Sequence, residues 1–261
     1  MWLYFKIYGG VRSLDRWIGG SLPSLVATAK MRGWISQFHF IRYLDPDFHI
    51  RFRMKVIQNG AQSLIEEYLH KSLETQITAG QVWKIQREEY QPETERFGPE
   101  RILLVEEWFD QDSQFWTGWL SNPENLDLPD RWRVGLQRID GIFSSFRLGK
   151  PDRLKIVSRM SGALTSEFRL SGRQKSAIGI HYNQHLNEIL NLLEKPEQDL
   201  RLLPAASQII STFPSQNDFV DSNLLPDLIH LSMNRCFRAR HRQQELVLYE
   251  WLRRFYSRRP Q

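Results

Sequence analysis

The chain has 261 residues, 41% of them hydrophobic and 25% charged, with a formal net charge of +5, which is ordinary for a globular protein able to bury a substantial core. One cysteine, Cys236, excludes an internal disulfide, and no apolar run reaches the length of a membrane span. The opening Met1-Trp2-Leu3-Tyr4-Phe5-Lys6 lacks the basic start and unbroken apolar stretch of a signal peptide, so a cytoplasmic protein without membrane association is expected.

In the first ninety residues, segments of period two and of helical period succeed one another. Leu3, Phe5 and Ile7 alternate with Tyr4, Lys6 and Tyr8, the pattern of a half-buried strand ending at Gly9-Gly10. Residues 14–32 place Leu14, Trp17, Ile18, Leu22, Leu25, Val26 and Ala29 at helical spacing, with a bend expected near Gly19-Gly20. Trp34 to Tyr43 is dense in aromatic and branched residues and reads as a second strand. Asp45-Pro46-Asp47 supplies turn chemistry before a third strand that runs to Val56, making a hairpin. Ile65, Leu69, Leu73 and Ile77 mark a helix closed by Gly80, and Val82 to Tyr90 a fourth strand.

The third strand carries the strongest chemical signal. In Phe48-His49-Ile50-Arg51-Phe52-Arg53, side chains two apart share a face, so His49, Arg51 and Arg53 form a cationic row while Phe48, Ile50, Phe52 and Met54 pack inward. Two guanidinium groups one pleat apart repel each other and lose hydration. Such a row calls for an anion, and carboxylate or phosphate fits the planar fork best. Lys6 on the first strand adds to the same face.

The order βαββαβ is that of a ferredoxin-like unit, with the cationic strand between its hairpin partner and the first strand. From Arg101 onward the pattern is helical, interrupted at Asn122-Pro123, Gly149-Lys150-Pro151, Gly172, Lys195-Pro196 and from Pro204 to Pro226; residues 176–193 and 226–256 show the clearest stripes. The expected fold class is therefore α+β. Residues 1–98 form the ferredoxin-like region and 99–261 a helical region that closes over the open sheet face as part of one compact domain.

Three further patches stand out. In Tyr90-Gln91-Pro92-Glu93-Thr94-Glu95-Arg96, a helical turn begun at Pro92 sets Glu93 and Arg96 on one side. His230 and Asn234 lie one turn apart on a helix near Pro226, followed by Arg235. His181 and His185 have the helical spacing of zinc ligands but lack the glutamate beside the first histidine that a zinc protease needs. Nothing else looks like a ligand set, and neither metal nor cofactor is expected. Arginines 235, 238, 240, 242, 253, 254, 258 and 259 against Glu245 and Glu250 make the tail basic, a solvated face or a surface for nucleic acid or an acidic peptide. There is no phosphate-binding glycine loop and no nucleophile elbow.

Together these residues resemble a known family. Lys6-Ile7-Tyr8, Phe40-Ile41-Arg42-Tyr43 with Asp45-Pro46 and His49-Ile50-Arg51-Phe52-Arg53, the Tyr90-x-x-Glu93-x-x-Arg96-Phe97-Gly98 turn, Phe109 with Asp112-Ser113, and His230-x-x-x-Asn234-Arg235 are similar to the C-terminal domain of class I lantibiotic dehydratases. That domain also occurs alone as the thiopeptide-type bacteriocin biosynthesis protein. The likeness runs from about residue 2 to residue 256, although residues 120–215 match only in being helical. It departs at Phe97-Gly98-Pro99, where the family has tyrosine and two glycines.

The resemblance implies a reaction. In full dehydratases one domain transfers glutamate from glutamyl-tRNA to serine or threonine hydroxyls of a precursor peptide, and the C-terminal domain eliminates it to leave dehydroalanine or dehydrobutyrine. This chain would be the stand-alone elimination component, a lyase acting on a glutamylated precursor peptide beside a separate tRNA-dependent glutamylating protein; it is not expected to bind tRNA directly. Family elimination residues map onto Arg51, Arg53, Glu93, Arg96 and His230, and Lys6, His49, Asn234 and Arg235 would bind substrate. Either His230 or Glu93 could be the base. The same scaffold also serves pyridine synthases, which join two dehydroalanines by a formal cycloaddition and release the leader peptide, and a non-catalytic peptide-binding role is a third alternative.

Overall fold

The computed structural model describes residues 1–128, 130–194 and 203–258, and the chain divides into two compact units, Met1–Pro129 and Asp130–Gln261. The fold is α+β, as its alternations predict. In the first unit, β1 (Trp2–Gly9), α1 (Val11–Gly19), α2 (Ser21–Met31), β2 (Ile35–Tyr43), β3 (His49–Val56), α3 (Gln62–Ser72), α4 (Glu74–Thr78) and β4 (Val82–Glu88) are followed by α5 (Thr94–Phe97), α6 (Ile102–Leu120) and α7 (Pro123–Asp127). The sheet is antiparallel throughout with strand order β2-β3-β1-β4, the ferredoxin-like arrangement.

Period-two patterning sorts the two faces of the sheet. Leu3, Phe5 and Ile7 pair in register with Met54, Phe52 and Ile50, and all six are at most 3% exposed. Trp17 of α1 meets Phe52 edge-on with ring centroids 5.5 Å apart, placing α1 on this apolar face. The face also holds a buried ion pair, Arg42 Nη2 to Asp15 Oδ1 at 2.5 Å, that joins β2 to α1.

The predicted helices are divided by local breaks. The helix expected over residues 14–32 starts earlier, at Val11, and splits at Gly20, whose φ of −98° and ψ of −81° lie outside the helical well. The stripe from Ile65 to Ile77 is interrupted at Leu73, giving α3 and α4, before Gly80 turns the chain with φ +67°. The fourth strand stops at Glu88 and not at Tyr90.

Helix α6 completes the first unit. Asp110 Oδ1 accepts the Phe38 N–H at 2.8 Å and Ser113 Oγ accepts the Phe40 N–H at 3.3 Å, so α6 satisfies outward-facing donors of the edge strand β2. The segment after residue 98 is thus integral to the sheet.

The second unit is helical: α8 (Trp132–Ser145), α9 (Lys150–Glu167), α10 (Gly172–Gln184), α11 (Leu186–Glu194), α12 (Ala205–Ser211), α13 (Gln216–Asp221), α14 (Leu224–Cys236) and α15 (His241–Ser257). Its predicted stripes are also broken, at His185 and between Phe237 and Arg240. The break expected at Lys195-Pro196 lies outside the described residues. Gly149 caps α9 with Pro151 in its first turn, and a Ser171–Gln174 capping box starts α10. Among the described residues, no helix is long and apolar enough to cross a membrane.

Candidate functional site

The second sheet face is polar and aromatic. Antiparallel register sets Lys6 opposite Arg51, Tyr4 opposite Arg53 and Tyr8 opposite His49, while on the other flank His39 faces Arg53 and Tyr43 faces His49. The expected cationic row therefore exists on one face, and Lys6 is its cross-strand neighbour.

Each cation in the row is held differently. His49 is 1% exposed; its Nδ1–H donates to the Asp47 carbonyl at 2.8 Å and its Nε2 accepts from Arg51 Nε at 3.4 Å, the pattern of a neutral imidazole. Burial, with smaller opposition from the Asp47 hydrogen bond and reinforcement from Arg51 and Lys6, holds its pKa below the ordinary 6.5. The Arg51 guanidinium stacks 3.5 Å from the centre of the Tyr43 ring. Lys6 is the one member with a carboxylate, Glu88, at 3.0 Å, which raises its pKa.

Arg53 is the unusual group. It is 7% exposed, lies 4.5 Å from the Tyr4 ring centre and 5.3 Å from that of Tyr90, and makes no hydrogen bond or ion pair among the described residues. Desolvation pushes its pKa down, with Tyr4, Tyr90 and Glu93 opposing and Arg51 adding to the fall. A guanidinium stripped of water and facing rings, with no carboxylate on its fork, has the chemistry to receive an anion.

Tyr90 is fixed from the far side, its hydroxyl donating to Glu106 Oε1 at 2.9 Å, while Lys55 approaches Glu106 Oε2 at 3.6 Å. Burial beside Glu106 drives the Tyr90 phenol well above its usual range, so it stays protonated. Phe109 of α6 packs at 5.3 Å on His39, which in turn meets Trp2 at 5.2 Å, closing the apolar end of the face. Ser113, 0% exposed, supports β2 through the Phe40 N–H, and the neighbouring Asp112 is also fully buried.

Glu93 and Arg96 form the predicted pair, Oε2 to Nη1 at 3.0 Å, with both side chains partly exposed. Thr94 and not Pro92 begins the short helix, and Glu93 is its N-cap. Gly98 leaves the turn at φ +84°, where only glycine is unstrained.

His230 stands in the second unit, on α14. Its Nδ1 lies 2.9 Å from Glu245 Oε1 and 3.2 Å from Oε2; Glu245 is itself 0% exposed and accepts from the Tyr249 hydroxyl at 3.0 Å. Burial and the Glu245 charge push the Tyr249 phenol well above its ordinary range. A carboxylate on Nδ1 fixes ring and tautomer and leaves Nε2 to accept a proton. Sequence reasoning found His230 but missed Glu245 and Tyr249, which share one face of α15 fifteen and nineteen residues further on. Asn234 is 6% exposed and Arg235 0% exposed, so Arg235 belongs to the interior of this unit.

The structure places the other histidines with partners of their own. His185 is paired with Glu188 at 3.4 Å and packed on Trp132 at 5.2 Å, while His230, His241 and Glu245 bring one potential ligand atom each within 4.8 Å of one another. Among the tail arginines, Arg253 and Arg254 both bind Glu250 and Arg242 binds Glu167, so internal partners take up much of that charge; Arg259 lies outside the described residues.

Comparison with known proteins gives a consistent frame. A family model described as lantibiotic biosynthesis dehydratase C-term matches residues 2–256. Among solved structures, the tRNA-dependent lantibiotic dehydratase MibB from Microbispora sp. 107891 superposes with a TM-score of 0.68 at 18% identity, covering 97% of this chain but 27% of that one. The pyridine synthase TbtD from thiomuracin biosynthesis superposes with a TM-score of 0.66 at 14% identity over 96% of both chains. No curated protein sequence matches significantly.

Proposed function

This chain belongs to the lantibiotic biosynthesis dehydratase C-terminal family, and we propose that within it the chain eliminates glutamate from glutamylated serine and threonine residues of a precursor peptide. A separate tRNA-dependent glutamylating protein would supply that substrate. The observation that carries this reading is Arg53, a buried guanidinium without an anion, next to Arg51, whose fork also lacks a carboxylate.

The chemistry follows from charge. A base removes the Cα proton, the electron pair becomes the Cα=Cβ bond, the Cβ–O bond breaks, and glutamate departs as its carboxylate. Negative charge first grows on the neighbouring carbonyl and then on the leaving carboxylate, and each well-placed donor contributes roughly 3 to 4 kcal/mol to such a transition state. Arg51 and Arg53 take the leaving group in this reading, and Lys6 and neutral His49 hold the surrounding face. In this reading Glu93, paired with Arg96, positions that arginine, and His230, whose Nδ1 is tied to Glu245, takes the proton.

A second reading rests on the match to the pyridine synthase, which covers both chains nearly end to end. Incubating the protein with a synthetic peptide bearing one glutamylated serine, and following mass, decides between them. Elimination predicts loss of glutamic acid, abolished by Arg53→Ala. An unchanged mass, with leader release from a peptide carrying two dehydroalanines, would transfer the assignment to cycloaddition.

A further inference from the structure

We propose that His230, His241 and Glu245 form a binding site for a divalent cation of the zinc class. All three lie in the second unit, on α14 and α15, and their ligand atoms fall within 4.8 Å of one another.

The placement follows from local structure. His241 and Glu245 stand one turn apart on α15, so they share a helix face, and His230 approaches from α14 with its ring 5.4 Å from that of His241. Arg240, just before α15, has φ +53°, a conformation costly for a side-chain-bearing residue. That turn sets His241 at the first position of the helix, beside His230.

Donor chemistry and distance both suit the ion. Two imidazoles and one carboxylate make the three-protein-ligand set of open zinc sites, and the His230 side chain, 26% exposed, leaves room for water or an anion in the fourth position. Ligand atoms about 2.0 to 2.1 Å from a tetrahedral ion stand about 3.3 Å apart. His230 Nδ1 and Glu245 Oε1 are already at 2.9 Å, so admitting the ion opens this pair by a few tenths of an ångström. The Tyr249 hydroxyl bonds the other carboxylate oxygen at 3.0 Å, the outer support a ligating carboxylate needs. Arg242 sits 3.6 Å from that same oxygen and lowers the affinity, but Glu167 draws its guanidinium away at 2.5 Å and Oε1 remains for the ion.

Occupancy has a functional consequence that rests on His230 as the base of the proposed elimination. With Nδ1 on the metal, the neutral His230 ring carries its hydrogen on Nε2 and has no nitrogen left to accept the Cα proton, so the loaded protein is silenced. Binding itself does not depend on that assignment.

The test uses the full chain after chelator treatment. Titration with Co²⁺, read by its visible absorption, and with Zn²⁺, read by calorimetry, is expected to show one equivalent bound and Co²⁺ displaced by Zn²⁺. His241→Ala, with unchanged circular dichroism, is expected to weaken binding by about tenfold or more while keeping metal-free elimination. If that variant does not fold, His241→Gln takes its place. Absence of saturable binding, or binding indifferent to residue 241, overturns the site. Binding without loss of elimination overturns only the silencing, and absence of elimination with intact binding counts against the proposed reaction alone.

Discussion

At the scale of single residues, function and stability pull apart at Arg53. A buried cation without a counter-ion costs the folded state, and exchanging such a group for an apolar one of similar volume is neutral or stabilising by about 1–4 kcal/mol. Arg53→Met is therefore expected to raise the unfolding midpoint in urea while removing elimination, whereas a merely structural arginine would lose both. Glu245→Gln makes the complementary case. It preserves shape but replaces the charge behind His230, so kcat should fall by about 10² or more with little change in KM. His49 adds a pH dependence of its own. Its folded pKa lies below the ordinary 6.5, so between these values the unfolded chain binds more protons and stability falls as pH falls. Urea midpoints are expected to be level above neutrality and to drop from about pH 6.5 downward, with a shallower drop in His49→Gln. Protonation also removes the acceptor that steadies Arg51, so elimination should weaken over the same range.

At the scale of elements, the sheet is held by features of different visibility. Gly19 lies where α1 meets the end of α6, and a Cβ there would stand 2.2 Å from the Leu120 carbonyl oxygen. Gly19→Ala must displace backbone and is expected to cost about 1–3 kcal/mol in chemical denaturation. Asp110→Ala strips the acceptor from the Phe38 N–H and from Lys30, with a similar expected loss of about 1–3 kcal/mol and increased self-association through the exposed β2 edge. The strands and the cationic row were legible in the sequence because period two survives along β1 and β3: Leu3, Phe5 and Ile7 on one strand, Ile50, Phe52 and Met54 on the other. Helix breaks at Leu73 and His185 were not, since the apolar spacing runs through both. Nor was the role of Phe109 and Ser113, motif residues that brace β2, because which donors a helix satisfies is decided by tertiary contact. Glu245 and His241 escaped for the same reason: only the turn at Arg240 brings them to His230.

At the scale of the whole molecule, the proposed elimination and the cycloaddition alternative make different demands on Arg51 and Arg53. Elimination releases glutamate, so the protein must bind that product at least transiently, whereas joining two dehydroalanines has no use for a carboxylate on Arg51 and Arg53. Free glutamate is the smallest probe of this difference. A doubly held carboxylate with little other contact gives a dissociation constant on the order of 1 mM, about 4 kcal/mol, enough to be read by NMR titration or as competitive inhibition. Binding is expected to vanish in Arg53→Ala and to persist in His230→Ala, which lacks the proposed base but keeps the receptor. Because Arg53 is buried, raising ionic strength should weaken this binding far less than it would for a surface lysine patch. A protein that ignores glutamate at tens of millimolar yet releases the leader of a peptide containing two dehydroalanines would place its chemistry with the cycloaddition branch, and the unpaired guanidinium would then answer to the carbonyl charge of that reaction.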